Sequence, residues 1–178
     1  MKSFLFALTA ACAWSAAALA QDAPRTVAVD LKAGDGASAG KALVTDAPNG
    51  VLLRVEAKGL KPGWHGLHFH EKGDCSKSDF TSAGGHVHAK PTVVHGLLNP
   101  DATEAGDLPN LYAAADGTAV AEIFSTYVSL EGSGGRPALA DADGAALVIH
   151  ANPDDYRAQP IGGAGARIAC GVIPPKAG

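Results

Sequence analysis

Beyond residue 20 the apolar residues of this chain come in short runs separated by turn residues, and that punctuation restricts the chain to short strands. TVAVDL (Thr26–Leu31), KALVTD (Lys41–Asp46), GVLLRVEAKGL (Gly50–Leu60), GLHFH, AVAEIFS (Ala119–Ser125), AALVIHA and ARIACGVI all have strand character. Val27, Val29 and Leu31 alternate with polar or small residues, and Leu52, Val55 and Ala57 do so less strictly. Asp46-Ala47-Pro48-Asn49-Gly50 has the chemistry of a turn, because Pro fixes φ and Asn-Gly supplies a positive φ. The 22 glycines and 11 prolines fit that pattern, and neither a repeat nor a long amphipathic helix interrupts it. The expectation is an all-β sandwich or barrel. Two segments lack strand character: Lys72 to Pro109, rich in Gly, His and Asp, and Asn152 to Ala166. Each follows a histidine-bearing strand, which favours functional loops over slack ones. Ser133-Gly134-Gly135 is expected to be only a loop.

The strand GLHFH carries the chemistry. Residues two apart on a strand project to one face, so His68 and His70 converge on a common point. Six of the seven histidines fall between His65 and His95, and the seventh, His150, closes another apolar run. Such clustering suits a transition metal that prefers nitrogen ligands. His65 in PGWHG is expected to hydrogen-bond backbone in a turn, His88 to be a solvated loop histidine, and Trp64 to pack over a sheet edge.

Lys2, the apolar run FLFALTAACAW and the small residues ending in Ala18-Leu19-Ala20 form a secretory signal with an A-x-A cleavage site before Gln21. A lipidated Cys12 is the competing reading, disfavoured because the apolar stretch continues past it. Residues 1–20 are thus the signal and 21–178 a single domain, whose formal charge falls from −4 to −5 with the loss of Lys2. Export implies an oxidising compartment, and the two cysteines left in the mature chain, Cys75 and Cys170, are then expected to pair.

GLHFHEKGDC, SAGGHVHA, GDLPN, LVIHANPDD and GAGARIACGVI, in that order, resemble the copper/zinc superoxide dismutases of the exported bacterial type. The resemblance runs from about Thr26 to Ile173 and implies an eight-stranded Greek-key β-barrel or sandwich with the metals under two long loops. Carried over residue by residue, it implies a copper site of His68, His70, His86 and His150, with His86 bridging to zinc. It also implies His95 and Asp107 as zinc ligands and Asp154 as the carboxylate that hydrogen-bonds ligands of both metals. Arg167 becomes the guanidinium that attracts and orients the superoxide anion, and Cys75–Cys170 the disulfide. The implied activity is dismutation of superoxide to dioxygen and hydrogen peroxide by Cu(II)/Cu(I) cycling, in the periplasm.

One position departs from the pattern. The family places a third zinc histidine three residues before the aspartate of GDL, and here that residue is Glu104. Three readings stay open: Glu104 replaces the histidine, His88 swings in instead, or the zinc site is weak and the protein works chiefly with copper. The alternative function is a non-catalytic copper-binding protein for storage or delivery on the same fold. Retention of His86, His150 and Arg167 together disfavours it. An acidic chain without a basic stripe argues against nucleic acid as a partner. The signal run is too short and alanine-rich for a membrane span, and the sequence admits either a homodimer or a monomer.

Overall fold

The structure, a computed structural model, describes residues 23–176. Residues 1–20, where the sequence predicts a secretory signal, and Cys12 among them, lie outside the described residues.

Among the described residues nine strands form: β1 Thr26–Ala33, β2 Ser38–Ala47, β3 Gly50–Ala57, β4 Gly63–His65, β5 Leu67–His70, β6 Leu111–Ala113, β7 Ala119–Ser125, β8 Ala145–His150 and β9 Arg167–Ile173. Seven make one antiparallel sheet in the order β5-β8-β9-β1-β2-β3-β7, and β4 pairs with β6 in a separate ribbon. The sheet curls, and β4 runs into β5 at one edge while β6 packs beside β7 at the other. The ribbon therefore spans the gap between the edges without a continuous ladder. Of the expected eight-stranded barrel or sandwich, this corrects the barrel form: the chain makes an antiparallel half-barrel of the sandwich kind, open in hydrogen bonding at the ribbon. Gly66 explains one end of the break, since its N–H goes to the Asn152 carbonyl and its carbonyl accepts from the His150 N–H.

The inner face follows strand alternation. Val27, Val29 and Leu31 of β1 are buried, with exposed residues between them. In β3 the inward set is Val51, Leu53, Val55 and Ala57. Leu52 points out instead, opposite Phe124 of β7, which corrects the looser alternation read from the sequence. The irregular signal has a cause: β3 carries apolar residues on both faces at its start.

β5 and β8 are buried at every position. Leu67, Phe69, Leu147 and Ile149 face the main core. Ala146 and Val148 face the other way, in a small apolar cluster with Phe80, Ala83 and Cys170. His68 pairs with Val148 and His70 with Ala146, so both histidines lie on that second face. The loop from Glu71 onward covers it, and the Cys75–Cys170 disulfide ties that loop to β9. The local geometry thus places the histidines outside the core but away from water.

Candidate metal centre

Three elements bring four imidazoles together. His68 and His70 project from β5, and His150 ends β8, where the register with β9 shifts between Ile149 and His150. An irregularity of that kind re-aims the side chain at the strand end. His86 comes from the first long loop and is held beside His70 by a bridge between their backbones. All four side chains are buried, and their ligand atoms lie within 4.8 Å of one another.

Each ring spends one nitrogen on the protein. His68 Nε2 meets Asp154 Oδ2 at 2.9 Å, His70 Nδ1 donates to the Gly84 carbonyl at 3.0 Å, and His150 Nδ1 to the Gly165 carbonyl at 3.1 Å. The other nitrogens, His68 Nδ1 and Nε2 of His70, His86 and His150, are buried and have no partner in the protein. A buried polar atom left unpaired costs about 1–3 kcal/mol. Four of them aimed at one point form a donor set for a cation. Burial pushes His70 well below the ordinary histidine range and His68 down. Burial also takes His150 to about 3, helped by the neighbouring His68, His86 and Arg167. Neutral rings with free lone pairs are what a metal requires of histidine, and an all-imidazole set suits copper among the transition metals.

A second cluster joins the first through His86. Its Nδ1 lies 2.8 Å from Glu104 Oε2 and 3.0 Å from Asp107 Oδ1. His95 Nδ1 lies 2.7 Å from Glu104 Oε2 and 3.1 Å from Asp107 Oδ2. The four side chains are buried, and their donor atoms also fall within 4.8 Å of one another. Burial alone would lower His95, but Asp107, Asp154 and Glu104 outweigh it and raise it to about 11. His86 is raised in the same way, by Asp107 and Glu104 against burial. Burial would raise both carboxyls, yet the contacts with His86 and His95 hold them below the usual carboxylate range. Two imidazoles and two carboxylates make a compact nitrogen–oxygen set, of the donor types that bind zinc.

Asp154 connects the two clusters. Its Oδ2 faces His68 and its Oδ1 lies 3.0 Å from His95 Nε2, while burial is overcome and the carboxyl is held low by both rings. Gly162 sits against this contact with a φ of +59°; a Cβ there would collide with Asp154 Oδ1. Half-buried Arg167, at the start of β9, donates to the carbonyls of Phe80 and Gly84 at 2.6 Å each. Those carbonyls belong to the loop that the disulfide fastens three residues further along β9.

The structure brings together His68, His70, His86, His95, Glu104, Asp107, His150 and Asp154. It keeps the remaining histidines apart. His65 meets the carbonyls of His150 and Lys61 at 2.7 Å each, in β4 and not in a turn. His88 is half-buried and donates from Nδ1 to the His86 carbonyl at 3.1 Å, so Glu104 and not His88 joins the second cluster. Trp64 is exposed, edge-on to Tyr112 across the ribbon. Residues with site contacts that the sequence did not announce are Asn110, Tyr156, Gln159 and Gly162. Asn110 closes GDLPN, a signal that could have found it; Gln159 has none.

Residues 38–173 match the family described as Copper/zinc superoxide dismutase (SODC). A protein of Caulobacter vibrioides named Superoxide dismutase (Cu-Zn) is 69% identical over 143 residues, covering 80% of this chain and 82% of the relative. Among solved structures, a SOD-like protein from Bacillus subtilis superposes with a TM-score of 0.76 at 36% identity, over 82% of this chain and 97% of that one. Cu/Zn superoxide dismutase from Brucella abortus does so with a TM-score of 0.67 at 31% identity, over 84% and 99%.

Proposed function

The chain belongs to the copper/zinc superoxide dismutase family, and from that premise we propose that it dismutes superoxide at the four-imidazole cluster. The observation that carries this is the convergence of four buried, partnerless nitrogens from His68, His70, His86 and His150. Copper held by those atoms would supply a one-electron Cu(II)/Cu(I) couple, the chemistry by which two superoxides and two protons become dioxygen and hydrogen peroxide. The chain's own residues do the rest. The Gly84, Gly165 and Asp154 contacts fix which nitrogen of His70, His150 and His68 faces inward, as outer partners of metal-bound histidines commonly do. His86 presents Nε2 to one cluster and Nδ1 to the other, so it can bridge two metals and can hold or release a proton at Nε2. Arg167 contributes a fixed positive charge near His70 and His150, which draws an anion toward the site of an otherwise acidic protein.

Zinc fits the second cluster as a site of His86, His95, Asp107 and Glu104. The nitrogen–oxygen donor set, its burial and the proximity of the Glu104 carboxylate to both rings support Glu104 in place of the family's histidine. The N-terminal signal and the disulfide support export to the periplasm of a mature chain 21–178 that acts as a monomer or homodimer, without nucleic-acid partners. Among the described residues no helix is long and apolar enough to cross a membrane.

The test is metal content per chain together with dismutation on the same protein purified from its export compartment. One copper and one zinc with activity is expected. Bound copper without dismutation would overturn the enzyme reading and leave a copper carrier. Copper with activity but no zinc would overturn the role given to Glu104.

A further inference from the structure

The two long loops are fastened to each other by a pair of side-chain amides, each gripping the backbone of a site residue on the opposite loop. Gln159, in the second loop, accepts from the His95 N–H at Oε1 and donates to the His95 carbonyl from Nε2, both at 2.9 Å. From the other direction Asn110 accepts from the Asp154 N–H at Oδ1 and donates to the Asp154 carbonyl from Nδ2, again both at 2.9 Å. A carboxamide is suited to this, because it offers one donor and one acceptor side by side, matching the N–H and C=O of one residue. The two gripped residues are themselves in contact, with His95 Nε2 3.0 Å from Asp154 Oδ1. Tyr156 adds a further tie: its hydroxyl accepts from the Asn110 N–H at 2.7 Å and its carbonyl from the Leu98 N–H at 3.2 Å.

We propose that Gln159 is a positioning residue for His95, and that with Asn110 it forms a reciprocal lock holding the His95–Asp154 contact in register between the loops. The inference rests on the zinc reading of the preceding section. His95 has no regular secondary structure to hold it, as it lies between β5 and β6 in the first loop. Its ring must aim Nδ1 at Glu104 and Asp107 while Nε2 meets Asp154. A backbone gripped at both its N–H and its carbonyl cannot rotate about that residue without breaking two hydrogen bonds. Gln159 is an exposed side chain, so the fold does not depend on its burial. Its effect is therefore on aim, and removing such outer support typically weakens metal binding 10–100-fold.

The test is Gln159→Met, which keeps the length of the side chain and removes both hydrogen-bonding groups. Zinc release to a chromogenic chelator is followed from zinc- and copper-loaded protein, and amide hydrogen exchange is followed on metal-free protein. Zinc release at least tenfold faster is expected, with copper release as in the wild type and at least tenfold faster exchange at the His95 amide. Gln159→Glu, which keeps the acceptor and loses the donor, is expected to fall between the two. Wild-type exchange at His95 in Gln159→Met would overturn the lock. Faster exchange with unchanged zinc release would overturn the positioning role. A wild-type chain that takes up no zinc would instead refute the zinc reading, and the His95 exchange would then decide the lock alone.

Discussion

Removing the Cys75–Cys170 disulfide has a consequence whose size follows from the chain. The bridge closes a loop of 95 residues. In the chain-entropy description, a loop of that length restricts the unfolded ensemble by about 16 cal/mol/K, or about 4.7 kcal/mol at 25 °C. Cys170 is buried in the small cluster with Phe80, Ala146 and Val148, so alanine leaves a small gap there and adds to the loss. For a domain of this size each kcal/mol shifts the midpoint by about 2–4 °C, giving a fall of roughly 9–19 °C. The assay is thermal and urea unfolding of metal-free Cys75→Ala/Cys170→Ala beside the oxidised wild type. Functional loss should accompany it, because the same loop supplies the Phe80 and Gly84 carbonyls that hold Arg167. Released from the disulfide, the loop would position that guanidinium less firmly, and turnover with copper bound should drop. A destabilisation under about 1 kcal/mol would refute the entropic reasoning. Unchanged turnover would refute the link between the disulfide and Arg167.

Arg167→Ala should keep both metals, slow turnover and flatten its dependence on ionic strength; a salt dependence like that of the wild type would remove the steering role. Glu104→His should strengthen zinc binding by roughly tenfold or more if the carboxylate is a working but weaker ligand. Identical zinc affinity, measured by chelator competition, would place Glu104 away from the metal. Phe69→Ala, on the core side of β5, should cost about 3–5 kcal/mol in unfolding free energy, because a fully buried ring is lost between the site histidines. A loss below about 1 kcal/mol would mean that β5 is not anchored through this side chain.

The legible parts of the sequence were those governed by local rules. Period-two alternation in β1 gave the buried face without reference to any partner, and the spacing of His68 and His70 gave their shared direction. The unreadable parts depend on partners distant in the chain. β4 and β6 are three residues each, too short for a periodic signal, and pair only because the fold brings Trp64 opposite Tyr112. β7 is misleading by size: small Ala119 and Ala121 face inward while Val120 and Phe124 stand outside. Whether the sheet closes depends on how that ribbon meets the two edges, which no local pattern encodes. The ligand-type residues stood out by chemistry, whereas Gln159 is an ordinary loop residue until the fold places it on His95.

The arrangement of β5 and β8 relates fold to function. An antiparallel sheet commonly leaves one face wet, yet these two strands are buried on both faces. Leu67, Phe69, Leu147 and Ile149 fill the core on one side, and imidazoles take the other side beside small Ala146. Loops with almost no regular structure can cover that second face because they are fastened to it. The Val87 N–H donates to the Phe69 carbonyl, the Phe69 N–H donates to the Gly106 carbonyl, and the disulfide joins the cover to β9. Covering it has a cost. Four buried nitrogens without partners, at about 1–3 kcal/mol each, amount to roughly 4–12 kcal/mol. That is comparable to the whole net stability of a typical domain, about 5–15 kcal/mol. Hydrophobic side chains at the same positions would serve stability better. The histidines are therefore explained by what they bind, and the metal that satisfies them stabilises the folded chain in proportion to its affinity.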